Sequence, residues 1–108
     1  MKFIFLGIMS DESVANMRAT SFEKRKAMAE IVAHGAGGSL LDCTFVQGVY
    51  DMVAVMDLPN QSVAIGAKAA VLATGSYDHL EILGEFDLDA AGKAQATISK
   101  SYRGLGKE

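Results

Sequence analysis

His79 and Glu81 stand two residues apart in a stretch of alternating hydrophobicity, so a strand there presents both side chains on one face. An imidazole beside a carboxylate can pass a proton or supply two ligands to a divalent metal. Two ligands do not make a metal site, and the sequence offers no third at a matching spacing, so no metal is expected. A second polar pair, Tyr50 and Asp51, follows Gly48 and runs straight into the apolar stretch Met52-Val53-Ala54-Val55-Met56. A phenol and a carboxylate beside a glycine turn can hold a small polar ligand. The plainer reading is that Gly48 provides a bulge and Asp51 caps a turn. For His79 and Glu81 the plainer reading is an edge strand turning polar residues to water. Gly48, Tyr50, Asp51, His79 and Glu81 are the candidate ligand-binding residues, and no residue is assigned as catalytic.

Other residues lead to structure rather than chemistry. His34 falls at a predicted helix C-terminus, where the helix dipole stabilises an imidazolium. Gly35-Ala36-Gly37-Gly38 follows a helix, whereas a phosphate cradle precedes one. The cluster Lys24-Arg25-Lys26 sits among Glu23 and Glu30 and reads as a solvated helix face. Cys43 is the only cysteine; it forms no intrachain disulfide and reads as a small core hydrophobe. There is no Ser-His-Asp order, no Cys-x-x-Cys and no Walker sequence, and no cofactor is expected.

With 108 residues, ten Lys and Arg against thirteen Asp and Glu, and a net charge of −3, the chain is expected to form one globular domain without affinity for nucleic acid. Residues 1–9 resemble a signal peptide only superficially: the apolar core is short and no small-residue cleavage site follows. No run approaches the ~20 apolar residues that span a bilayer. A cytoplasmic location without membrane partners is the expectation.

The elements that must position these residues follow from periodicity. Residues 2–9 predict a first strand, with Ile4, Leu6 and Ile8 on one face and Phe3, Phe5 and Met9 on the other. A short helical turn is expected over 14–18. Thr20-Ser21-Phe22-Glu23 reads as a capping box that starts a helix running to about Ala33, with Phe22, Met28, Ala29, Ile31 and Val32 near one face. Residues 40–47 predict a second strand with Leu41, Cys43 and Phe45 toward the core, and 50–57 a third. Asn60 caps a second long helix over 61–74, whose buried stripe is Val63, Ala67, Ala70 and Val71. Gly66 in its interior suggests close helix–sheet packing. Residues 77–86 predict a fourth strand with Leu80, Ile82 and Phe86 inward and Tyr77, His79, Glu81 and Glu85 outward. Beyond Asp87, a short helix capped by Asp89 is drawn through Ala90–Ser101.

The order strand, helix, strand, strand, helix, strand is that of an α+β, ferredoxin-like βαββαβ fold: a four-stranded antiparallel sheet with both helices on one face. Strands one and three, apolar on both faces, belong in the middle, with two and four at the edges. Apolar side chains then remain on the uncovered face. Burying each stabilises by roughly 1.5–3 kcal/mol, so a handful represent on the order of 10 kcal/mol, comparable to the ~5–15 kcal/mol net stability of a small domain. A homodimer packed sheet to sheet is the economical answer. Exposed edge strands could join such dimers into higher homo-oligomers.

On Gly48, Tyr50 and Asp51, placed between the second and third strands, and on the helix end at Gly37-Gly38, the chain resembles the GYD family of small bacterial proteins over about residues 1–87. Residues 88–108 form a tail outside that resemblance. The family is similar to the dimeric α/β-barrel class, and the resemblance implies that fold and its dimer. The same hairpin resembles the effector-binding domain of leucine-responsive-type regulators, in which ligands bind near the corresponding turn at a subunit interface; no DNA-binding helix-turn-helix precedes it here. The expectation is a small-molecule-binding or regulatory dimer, with its ligand near the Gly48–Asp51 hairpin or in the sheet–helix cleft. The alternative is a cofactor-free enzyme of the dimeric α/β-barrel class, a monooxygenase, isomerase or lyase, using His79, Glu81 or Tyr50. A purely structural assembly unit is the third.

Overall fold

The computed structural model describes residues 1–102, Gly104 and Gly106; Arg103, Leu105, Lys107 and Glu108 of the expected tail lie outside the described residues. In chain order the elements are β1 (Lys2–Met9), α1 (Asp11–Ala15), α2 (Phe22–Gly35), β2 (Ser39–Phe45), β3 (Met52–Asp57), α3 (Gln61–Ala73), β4 (Tyr77–Gly84) and α4 (Leu88–Ser99). The four strands form one antiparallel sheet in the order β2-β3-β1-β4. The fold is α+β and ferredoxin-like, with the two doubly apolar strands in the centre.

The core lies between the sheet and the face of α2 and α3 turned toward it. Phe3 and Phe5 of β1, Met52, Ala54 and Met56 of β3, and Leu80 of β4 meet Ala33 of α2 and Ala64 and Ala67 of α3. On the opposite face, pairing across the strands aligns Ile4 with Val55 and Leu83, Leu6 with Val53 and Glu81, and Ile8 with His79.

Several expectations need correction, two of them for one reason. A residue slip in a strand turns every following side chain over, and both edge strands slip. Register shifts between Leu40 and Asp42, so Leu40 packs on the core while Leu41 is exposed. It shifts again between Ile8 and Met9, and Tyr77 packs against the core instead of facing outward. Phe86 lies beyond the end of β4 and is exposed. In α2 the cap is Ser21, whose Oγ accepts from Lys24 N–H, not Thr20. The helix turns Ala29, Val32 and Ala33 inward and leaves Phe22, Met28 and Ile31 exposed. In α3 the buried pair is Ala64 and Ala67, with Ala70 exposed. Gly66 has nothing within 4 Å of where a β-carbon would stand, so no close packing explains it. The close approach is at Gly38, where a β-carbon would lie 1.8 Å from the Asp57 carbonyl oxygen. The last helix is capped by Asp87, which accepts from Ala90 N–H, not by Asp89. It buries none of its residues.

Candidate functional site

Between β2 and β3 the chain turns through residues 46–51. Gly48 carries the turn with φ of +151°, a value side-chain-bearing residues rarely adopt. Asp51 then ties the hairpin down three ways. Its C=O accepts from Val46 N–H at 2.8 Å, its N–H donates to Gly7 O at 2.8 Å, and its Oδ2 accepts from Met9 N–H at 2.8 Å. The last bond satisfies a β1 donor just where register slips. Tyr50 reaches the other way: its hydroxyl donates to Glu81 Oε2 on the edge strand, crossing the end of β1. That bond, with partial burial and the Glu81 charge, raises the Tyr50 phenol above its ordinary range.

His79 is exposed and shares the open sheet face with Glu81. Both also border an open groove between α3 and β4 with Gln61 and Lys68. Among the described residues, no three His, Cys, Asp or Glu side chains gather as a metal site would require. The five candidates thus form two linked groups, a hairpin that grips β1 and a polar pair on the open face.

None of the five lines a second, mostly apolar cavity. It has a volume of about 420 Å³ and lies on the helix side of the sheet. Its origin is the way the helices sit: α2 packs chiefly on β2 and α3 on β4, and the two barely touch. The central strands between them are roofed incompletely. Phe5, Met52, Ala54 and Met56 make the floor, Ala29 and Val32 one wall, and Ala70 and Val71 the other. Short alanine side chains on both helices leave the space open.

At one end the lining turns polar, with Ser10, Ser13, Asn16, Arg25, Thr74 and Tyr77. Arg25 is half-buried there and held in place: Nε donates to Thr20 O at 2.9 Å, Nη1 to Ser13 Oγ at 2.8 Å and Nη2 to Ser13 O at 3.0 Å. Its guanidinium also lies 5.9 Å from the centroid of the Phe45 ring, within cation–π range. Phe45 is braced edge-on by Phe22, with centroids 6.2 Å apart. Burial pushes the Tyr77 phenol up to about 12; Cys43 and Asp51 add to that and Arg25 opposes it. Burial likewise raises the Cys43 thiol, with Asp42 adding and Lys26 opposing, so it is no activated nucleophile. The chemistry on offer is an apolar chamber with a fixed cation, neutral hydroxyls and the Glu12 carboxylate at one end.

The hairpin just described falls within a stretch, residues 3–95, that matches the family model described as GYD domain. The chain belongs to the GYD domain family. Neither the curated proteins nor the solved structures compared with it give a match. The match runs past Asp87, the boundary expected from the resemblance, and ends within α4.

In this GYD domain the sequence reading missed Arg25, taking it with its neighbours as a solvated face. A signal was present. Arg25 lies four residues before Ala29 and seven before Val32, in phase with the inward stripe. Lys24 lies off that phase, whereas Lys26, three residues before Ala29 and seven before Ala33, borders the stripe and is half-buried too.

Proposed function

We propose that this GYD domain binds a small, largely apolar molecule in the sheet–helix cavity, and that it does so as a homodimer. The observation that carries the binding reading is the cavity itself. Its floor and walls are apolar and its few polar groups converge at one end, the usual make-up of a small-molecule site. Its volume of about 420 Å³ is in the range of such sites, ~300–1,000 Å³. The hairpin serves as scaffold for the mouth, because Asp51 holds the end of β1 from which Ser10 and Ser13 follow.

Support for the dimer comes from the open face, where Ile4, Leu6, Ile8, Val53 and Val55 align on the two central strands with no helix over them. A second copy is the partner that buries such a face at least cost in new sequence.

A thermal-shift screen of metabolites on the wild type and on Ala70→Phe tests the binding reading. Ala70 is exposed yet lines the cavity, so the larger ring fills the space with little strain on the core. A ligand that raises the melting temperature of the wild type should lose its effect on Ala70→Phe. Ligands that stabilise both proteins equally would place the site elsewhere.

A catalytic reading has one observation in its favour, the hydrogen-bonded Tyr50–Glu81 pair beside His79. Turnover of a ligand at the open sheet face that disappears in Glu81→Gln while binding persists would move the assignment to an enzyme.

A further inference from the structure

Among the described residues, Arg25 is the sole cation bordering the cavity and no carboxylate pairs with it. Glu12 is the one acid on the same rim; it is exposed and makes no ion pair with Arg25. A half-buried guanidinium usually gains a carboxylate or phosphate partner, because burial without one is costly. Here neutral groups hold it instead. Thr20 O, Ser13 Oγ, Ser13 O and, more weakly, Met9 Sδ at 3.5 Å take four of its N–H donors. A guanidinium carries five, so one N–H on Nη2 remains unassigned. Those bonds, with the Phe45 ring, also fix the orientation of the fork before anything binds.

We propose that the cavity ligand is an amphipathic monocarboxylate, its apolar body on the floor of Phe5, Met52, Ala54 and Met56 and its carboxylate on Arg25. The inference rests on the ligand-binding reading above and names the chemical class that this site selects. A single compensating charge with one free guanidinium donor suits a monoanion. The hydroxyl and amide groups of Ser10, Asn16 and Tyr77 border the same end and can complete the carboxylate's hydrogen bonds. Tyr77 stays protonated, and so a donor, through neutral pH. The apolar lining excludes small hydrophilic acids, which have no surface to bury there.

The test is calorimetric titration of the wild-type protein and Arg25→Gln with octanoate and with octanamide, which share an apolar body and differ in charge. Wild type should bind octanoate roughly tenfold or more tightly than octanamide, because a carboxylate pairs its charge with the guanidinium and a neutral amide does not. Arg25→Gln should erase that preference, with octanoate losing at least tenfold more affinity than octanamide. Equal affinity of the wild type for both probes would overturn the carboxylate assignment while leaving the ligand cavity standing. Failure of both to bind would overturn the cavity reading as well. A second readout needs no variant. The Arg25 Nε–H resonance of the wild type should move on adding octanoate and not octanamide, and an unmoved resonance with octanoate bound would also overturn the assignment.

Discussion

The carboxylate of Asp51 accepts a hydrogen bond from the backbone N–H of Met9 at 2.8 Å, across 42 residues of sequence. Met9 is the last residue of β1, and pairing with β3 has already ended at Gly7–Met52, so that ladder supplies its N–H no partner. A side chain from the neighbouring hairpin therefore finishes a strand it does not belong to. The acid at this place is used to close the sheet's end over the cavity mouth.

Asp51→Ala should therefore destabilise the domain by about 1–3 kcal/mol, the cost of leaving a partly buried donor unsatisfied. Asp51→Asn keeps an oxygen acceptor and should lose less. Urea unfolding of the three proteins measures the difference. An alanine variant within ~0.5 kcal/mol of wild type, the usual range of surface substitutions, would show that the bond contributes little.

Two glycines make opposite predictions. A β-carbon at Gly38 would stand 1.8 Å from the Asp57 carbonyl oxygen. Gly38→Ala must push the turn before β2 away from the end of β3 and should cost several kcal/mol or prevent folding. Gly66, inside α3 with open space around it, should accept alanine and stabilise the helix by about 0.5–1 kcal/mol. Thermal melts of both variants check the pair. A neutral Gly38→Ala would mean that the chain there relaxes freely.

What could be read from the sequence follows the same physics. Between their polar ends at Lys2 and Asp57, strands β1 and β3 carry apolar residues on both faces, a pattern that suits central strands, and the order β2-β3-β1-β4 agrees. Glycine and asparagine marked the ends of α2 and the start of α3, where local backbone chemistry decides. Bulges were not legible. Whether Leu40 or Leu41 faces inward depends on one slipped residue, and both are leucine. The candidate site suffered similarly: charge made Arg25 look solvated, although its phase placed it with Ala29 and Val32. The cavity had no sequence mark at all, because it arises from where two helices rest on a sheet. The polar residues that looked chemical serve as ties between elements: Asp51 bonds to Met9 of β1, and Tyr50 to Glu81 of β4.

Tyr77 sets a pH limit on stability. Its phenol is raised to about 12 in the folded state, chiefly by burial, against an ordinary value near 10. Below about pH 10 both states hold the proton and nothing is lost. Between ~10 and ~12 the unfolded chain ionises first, so stability falls as pH rises, by up to about 3 kcal/mol. Tyr77→Phe should flatten that decline over the same window while other groups titrate as before. Urea melts of both proteins across that range provide the measurement, and parallel slopes would remove Tyr77 from the account.

The open sheet face yields the last prediction. Val55 lies between Ile4 and Asp42 in the pairing, so a lysine there can approach the Asp42 carboxylate within one chain. In a sheet-to-sheet dimer the same ammonium would be buried against the partner's apolar side chains, at a cost of several kcal/mol. Val55→Lys should therefore be monomeric at concentrations where wild type is dimeric, as read by light scattering. Linkage adds a second signature. Dimerisation makes the melting temperature rise with protein concentration, so wild type should show that dependence and Val55→Lys should not. The two readouts have to agree, since a substitution that merely weakened the strand would lower the melting temperature without abolishing its concentration dependence. A wild type that stays monomeric at micromolar concentration, with a concentration-independent melt, would mean that β1 and β3 keep their outer faces in water and that the dimer does not form.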